Sequence, residues 1–192
     1  MRLARERTLG ELRAIEASFG FPIGTTPQWR LDRALAGGGP LMDVGIYLLQ
    51  SARLLTGEEP THVSAVETKT DPRTFREVEE TMTFQLTFPG GVLADCATTY
   101  KVPGMNRVVA FADRGTFGLE PAYNYGGNRG WRSDGAPLRF EQIDQFAAEL
   151  DDFARCILEE RPTKVPGEEG LKDVRVLMAT YESAKLGRRL PL

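Results

Sequence analysis

Asp43 and Tyr47 are the two side chains of this sequence best spaced to move a proton. They lie four residues apart in PLMDVGIYLLQSARLLT, residues 40–56, a run that reads as one helix. Three glycines precede it, Pro40 suits the first helical position, and Gly57 suits the C-cap. Positions i and i+4 of a helix share a face. Leu41, Val44, Leu48, Ala52 and Leu55 form one apolar stripe, while Met42, Ile46, Leu49 and Leu54 make much of the rest apolar. A helix apolar nearly all round is buried, and a carboxylate on it costs free energy unless it is partnered. Two readings of the pair follow. In one, Asp43 serves the helix start, accepting backbone N–H groups at the positive end of the dipole, and Tyr47 is a core aromatic. In the other, both face a pocket beside the Gly37-Gly38-Gly39 loop and pass a proton to or from a sugar oxygen or carbonyl. A tyrosine, with an ordinary pKa of about 10, then needs a nearby cation to titrate closer to neutrality.

The other candidates for chemistry are few. His62 is the one imidazole, so any Ser-His or Cys-His arrangement must use it. It opens a strand-like run, His62–Thr70, which suits an exposed polar residue better than a catalytic base. Cys96 and Cys156 lie far apart without a CxxC, which speaks against a disulfide framework and a zinc site and for two buried thiols. GxGxxG, GxxxxGK[ST] and HExxH are all missing, so the chain has no evident phosphate cradle. Its 24 Lys and Arg against 27 Asp and Glu give a net charge of −3, without the basic surplus of a nucleic-acid binder. No apolar run is long enough to span a bilayer, and Met1 to Glu11 lacks the apolar stretch of a signal peptide. The expected compartment is the cytoplasm, with no nucleic-acid or membrane partner.

The elements that must carry these residues alternate in period. Leu12–Phe21 reads as a strand with Ile15, Ala17, Phe19 and Phe21 on one side. Residues 22–39 read as loop. Four strands follow the helix, at about His62–Thr70, Glu80–Phe88, Val92–Tyr100 and Arg107–Asp113, with a short one near Phe117–Glu120. Residues 121–137 read as a long surface excursion. Two helices close the chain. Glu141–Glu160 lines up Ile143, Phe146, Ala147, Leu150, Phe153 and Ile157; Glu168–Leu186 lines up Leu171, Val174, Leu177, Met178 and Tyr181. The 192 residues suit a single domain, and the element order predicts an α+β fold: one mostly antiparallel, open sheet with helices packed on one face, and no Rossmann domain. Thr81, Thr83, Gln85 and Thr87 put small uncharged polar groups on the other face, which suits solvent or a partner.

WRLDRALAGGGPLMDVGIYLLQSARLLTGEEP, residues 29–60, closely resembles a segment of the glucose–fructose oxidoreductase / inositol 2-dehydrogenase family. VPGEEGLKDVRVLMATYESAKLGRRLP, residues 165–191, resembles the family's C-terminal helix, and the resemblance covers residues 9–191. It implies an NAD(P)-dependent enzyme of two domains, a Rossmann domain followed by an α+β domain whose open sheet pairs subunits. This chain resembles the second domain alone, with residues 1–9 resembling the tail of a preceding helix. The family's Gly-rich fingerprint and its lysine-bearing Glu-Lys-Pro motif are absent. Asp43 and Tyr47 match the acidic and proton-transferring positions. Most members carry His where Tyr47 stands; Tyr is the pattern of the sugar-oxidising branch. Trp29 and Arg30 match a Trp-Arg pair near nicotinamide and substrate. Gly37, Gly38 and Gly39 match the loop that lets both approach, and Pro40 departs from the small residue usual there.

The expectations are therefore a substrate and oligomerisation domain of a sugar or polyol oxidoreductase. Its catalytic residues are Asp43 and Tyr47, and its substrate contacts are Trp29, Arg30, Gly38 and Gly39. NAD or NADP is expected in the parent enzyme and none on this chain, which by itself is expected to be inactive. A homodimer through the open sheet is the expected assembly. Two alternatives differ in class: a free-standing domain that self-associates or binds a partner without catalysis, and a carbohydrate-binding module using Trp29, Trp131, Tyr123 and Tyr125.

Overall fold

The computed structural model describes residues 2–192. In chain order they form α1 (Arg2–Arg5), β1 (Leu12–Gly20), a 3₁₀ turn (Trp29–Leu31), α2 (Arg33–Ala36), a π turn (Leu41–Gly45) and α3 (Ile46–Thr56). Then come β2 (His62–Thr68), β3 (Thr81–Thr87), β4 (Leu93–Thr99), β5 (Met105–Ala112), β6 (Gly115–Leu119) and β7 (Gly130–Arg132). The chain closes with α4 (Gln145–Leu158), α5 (Gly167–Leu186) and β8 (Leu190–Pro191).

The eight strands make one sheet in the order β7-β6-β5-β1-β4-β3-β2-β8. Every neighbouring pair is antiparallel except β1 with β4, where Ala14 stands opposite Leu93 in parallel register. The predicted open, mostly antiparallel sheet is thus present, with the first strand inserted at its centre. Alternation decides the faces. Ile15, Ala17, Met82, Phe84, Leu86 and Ala94 point inward to α3 and α5. Leu48 and Leu49 of α3 are wholly buried there, a contribution of about 1.5–3 kcal/mol each. The outer face carries Ser64, Thr83 and Gln85, with cross-strand pairs Glu16–Arg107 and Gln85–Asp95, so it is polar but not uncharged.

Several elements differ from the sequence expectation. Residues 22–39 are not all loop: Asp32 accepts from the N–H groups of Ala34 and Leu35 and caps the single turn of α2. The helix expected from Pro40 opens instead with the π turn. Residues 130–132 of the long excursion add a strand to the sheet edge. The packed face of α5 is rotated from the apolar stripe. It buries Asp173, Val176, Leu177, Thr180, Tyr181 and Ser183, while Leu171, Val174 and Met178 stay exposed. Polar pairing sets that rotation. Asp173 takes Arg53 Nη1 at 2.8 Å and also bonds Gln50, and Ser183 takes the Ala65 N–H at 3.1 Å. Arg53 further binds Glu59 and Glu169, tying α3 to α5. In α4 the predicted stripe forms but is uncovered: Phe146, Leu150, Phe153 and Ile157 are all exposed. Among the described residues no helix is long and apolar enough to cross a membrane.

Candidate active site

Two segments enter the site from the loop side of the sheet. The first is the 3₁₀ turn, which brings Arg30. The second is the π turn carrying Asp43, followed by α3 carrying Tyr47, and both residues open onto one pocket; π turns inside helices are frequent at functional sites. The pocket holds about 420 Å³ and is lined by Arg30, Asp43, Tyr47, the β1 residues Phe19 and Phe21 beyond it, and the segment Tyr123–Gly126. A larger groove of about 660 Å³ lies between α3 and β6, but its charged residues are arginines alone and it offers no carboxylate or phenol.

Asp43 is held from two sides. Arg30 Nε donates to Asp43 Oδ2 at 3.0 Å, and the Tyr100 hydroxyl donates to the same oxygen at 2.8 Å. Among the described residues, nothing hydrogen-bonds Asp43 Oδ1 or the Tyr47 hydroxyl. Tyr47 is about half exposed, its ring edge-on to Phe19 at 5.5 Å. Tyr123 stacks on Phe19 at 5.0 Å, and its hydroxyl lies 3.1 Å from Ser51 Oγ. The pocket therefore has an aromatic wall and a polar corner.

The electrostatics favour a protonated Tyr47. Burial, then Tyr125 and Asp43, raise its pKa above the ordinary tyrosine value. Arg30 is the only cation lining the pocket among the described residues, and Asp43 engages it. The Tyr100 hydroxyl is raised too, first by burial and then by its bond to Asp43. As built, the environment keeps the proton on Tyr47, and lowering its pKa would take a cation from elsewhere.

The structure brings together Arg30, Asp43 and Tyr47 and separates the other candidates. Trp29 sits outside this pocket, half exposed, with the Arg30 guanidinium 4.5 Å over its ring. Gly38 and Gly39 face inward. A Cβ on Gly38 would lie 2.0 Å from the Tyr181 hydroxyl, and one on Gly39 would lie 2.5 Å from the Glu79 carbonyl oxygen. These glycines are required by neighbours within the chain. Tyr123 and Tyr125 line the site, whereas Trp131 stands on β7 against Gly118, so the four aromatics form no common platform. His62 lies beside Thr61, with Nδ1 3.1 Å from its hydroxyl, away from the site. Both cysteines are free and buried, and burial pushes the Cys96 thiol up.

Sequence reasoning passes over Tyr100 and Glu79. Tyr100 ends an apolar strand and reads as its last core residue. Glu79 adjoins Glu80 and reads as solvated, yet both acids are almost fully buried. The one available signal is that two acids directly precede an apolar strand, where a turn would ordinarily favour smaller residues.

Comparisons with known proteins agree with this architecture. Residues 1–118 match the GFO/IDH/MocA C-terminal domain, and residues 138–192 match the C-terminal alpha/beta domain of the oxidoreductase family. The chain is 32% identical over 162 residues to D-xylose 1-dehydrogenase [NADP(+)] of Haloarcula marismortui, covering 82% of this chain and 45% of that protein. It is 30% identical over 192 residues to D-xylose 1-dehydrogenase (NADP(+)) 2 of Haloferax volcanii, covering 96% of this chain and 57% of that protein. The crystal structure of aldose-aldose oxidoreductase from Caulobacter crescentus complexed with glycerol superimposes with a TM-score of 0.94 at 43% identity. That match covers 100% of this chain and 58% of the other. The chain thus spans about half the length of the relatives it matches. Its sheet, its helices and both family matches lead to one assignment: the chain belongs to the GFO/IDH/MocA family of oxidoreductases and represents its C-terminal domain.

Proposed function

We propose that this chain is the substrate side of an NAD(P)-dependent oxidoreductase acting on a CH–OH group of a sugar or polyol. The observation that carries the reading is the convergence of an unengaged Tyr47 hydroxyl and an unengaged Asp43 oxygen in one aromatic-walled pocket. Aromatic faces suit the C–H faces of a sugar ring, and the polar corner suits its hydroxyls. Sugar-oxidising relatives support the substrate class.

With GxGxxG missing, no dinucleotide cradle is expected on this chain. In the Gly-Gly-Gly run, Gly38 and Gly39 face Tyr181 and Glu79 rather than open space. On this reading another part of the parent enzyme holds the nucleotide, and the steps assigned here are binding and proton steps. Tyr47 gives its proton to the sugar oxygen, or receives one when a cation from the remainder of the enzyme lowers its pKa. Asp43, oriented by Arg30 and Tyr100, accepts a hydrogen bond from a sugar hydroxyl through Oδ1.

Two surfaces support a larger assembly. The uncovered apolar stripe of α4 suits contact with a further domain, and the open sheet face suits a two-fold partner, the commonest form of assembly. The deciding experiment assays the domain joined to a nucleotide-binding domain with D-xylose and D-glucose, following NAD(P)H absorbance. Turnover that disappears in Tyr47→Phe supports the reading; the absence of turnover with aldoses and polyols overturns it.

A further inference from the structure

We propose that Glu79 is a positioning residue for this site, fixing the π turn from which Asp43 projects and which leads into α3, where Tyr47 stands. The inference rests on the proton-transfer reading of those two residues.

Glu79 lies just before β3, on an element separate from the helix it serves, and is 2% exposed. Its Oε2 accepts the Gly39 N–H at 3.0 Å. Its Oε1 accepts the Leu41 N–H at 2.9 Å and the Tyr181 hydroxyl at 2.8 Å. Pro40, between those two amides, has no N–H, so one carboxylate holds every backbone donor of the segment 39–41. The Gly39 carbonyl in turn accepts the N–H of Asp43 at 3.2 Å. A single residue, Gly39, thus connects the Glu79 carboxylate to the backbone of Asp43. On the far side, Thr98 donates to the Pro40 carbonyl at 3.2 Å, so the turn is gripped from β4 as well.

The grip explains the glycines. Any side chain at position 38 or 39 would displace the Tyr181 hydroxyl or the Glu79 backbone. It also explains why a charge is kept in the core. Burial raises the Glu79 pKa although hydrogen bonds from Leu41, its own backbone, Gly39 and Tyr181 oppose the rise. Buried charge is a poor source of stability, and apolar packing would hold α5 to the sheet at lower cost. What apolar packing cannot do is fix two amides at once. Negative charge at a helix start is also favourable. Misplacing a reacting group by about 1 Å can cost on the order of 10²-fold in rate.

The test compares Glu79→Gln, Glu79→Asp and Tyr181→Phe. Gln presents an N–H₂ group where one amide needs an acceptor; Asp keeps the charge but retracts it. Tyr181→Phe removes the third donor and leaves both amide bonds, so it reports what loosening the core does without moving the turn. In this 192-residue chain, the Asp43 side-chain carboxyl ¹³C resonance should shift in both Glu79 variants and stay in place in Tyr181→Phe. In the two-domain enzyme, kcat should fall about 10–100-fold in the Glu79 variants, with sugar KM within about twofold. If Glu79→Gln does not fold, Glu79→Asp decides by the same readouts. A lower denaturation midpoint with an unmoved Asp43 resonance and normal kcat overturns the proposal. The resonance needs no catalysis, so it decides the positioning role even if sugar turnover is never found and the functional reading itself fails.

Discussion

Tyr100 and Asp43 meet across the fold: the hydroxyl at the end of β4 donates to Asp43 Oδ2 at 2.8 Å, from the opposite side to Arg30. A strand end and a loop turn therefore aim the same carboxylate, and its second oxygen is left toward the pocket. Tyr100→Phe keeps the ring in its cluster with Phe75 and Val78. It should cost about 1.5–3 kcal/mol, the range for a hydrogen bond to a charged group, read as a shift in denaturation midpoint. A variant as stable as wild type would show that the bond is not made in solution.

Tyr47→Phe separates chemistry from packing. The ring contacts to Phe19 and Tyr123 survive, so stability should barely change. With the domain joined to a nucleotide-binding domain and assayed with the proposed sugar substrates, kcat should fall by roughly 10²–10⁴ with little change in sugar KM. Near-normal kcat would remove Tyr47 from the mechanism.

Asp43→Asn keeps shape but removes the charge that Arg30 and Tyr100 address. Turnover should drop more than stability, with a stability loss of about 1–2 kcal/mol. Steady-state kinetics and a urea titration on the same preparation give both numbers.

The 192-residue chain should not bind NADPH tightly, because its glycine run is filled from within. Calorimetric or fluorescence titration should show no saturation in the micromolar range. Saturable binding there would place a nucleotide site on this domain.

The open sheet should pair two copies of the chain. Sedimentation should give a dimer, and Thr83→Lys together with Val66→Lys, both on exposed outer positions, should give a monomer. A wild-type monomer at high concentration counts against the sheet as an interface.

Alkali should unfold the domain through its phenols. Burial is the largest cause raising the pKa values of Tyr47, Tyr100, Tyr123 and Tyr181 above 10.0. Above that value the unfolded chain has lost these protons and the folded chain has kept them, so stability falls as pH rises. Phenolate absorbance from Tyr100, Tyr123 and Tyr181 should appear together with unfolding, while the half-exposed Tyr47 can ionise in the folded chain.

Much of this was legible in the residues. Alternation in Met82, Phe84 and Leu86 located β3 and its inward face, and the glycines, Pro40 and Gly57 bracketed the site's helix. Asp43 and Tyr47 stood out because polar groups on an otherwise apolar helix need a reason. Tyr100 and Glu79 did not, since their partners lie far away in sequence and only sheet register brings them near. The outward stripe of α4 was predicted correctly as a stripe; periodicity shows that a face is apolar, not what covers it. On α5 the apolar pattern misled, because Asp173 and Ser183 were drawn inward by partners on other elements.

The central place of β1 has a consequence for the order of assembly. Leu12 must find Ala112 and Ala14 must find Leu93 before the strand has either neighbour. The first strand of this domain in chain order is thus among the last to be installed. Until then the meander β2–β4 and the hairpin β5–β6 wait as two half-sheets, each with a bare edge. Closure of such distant pairings is slow, and bare edges recruit other chains, so dilute refolding or a chaperone should raise the yield of native domain.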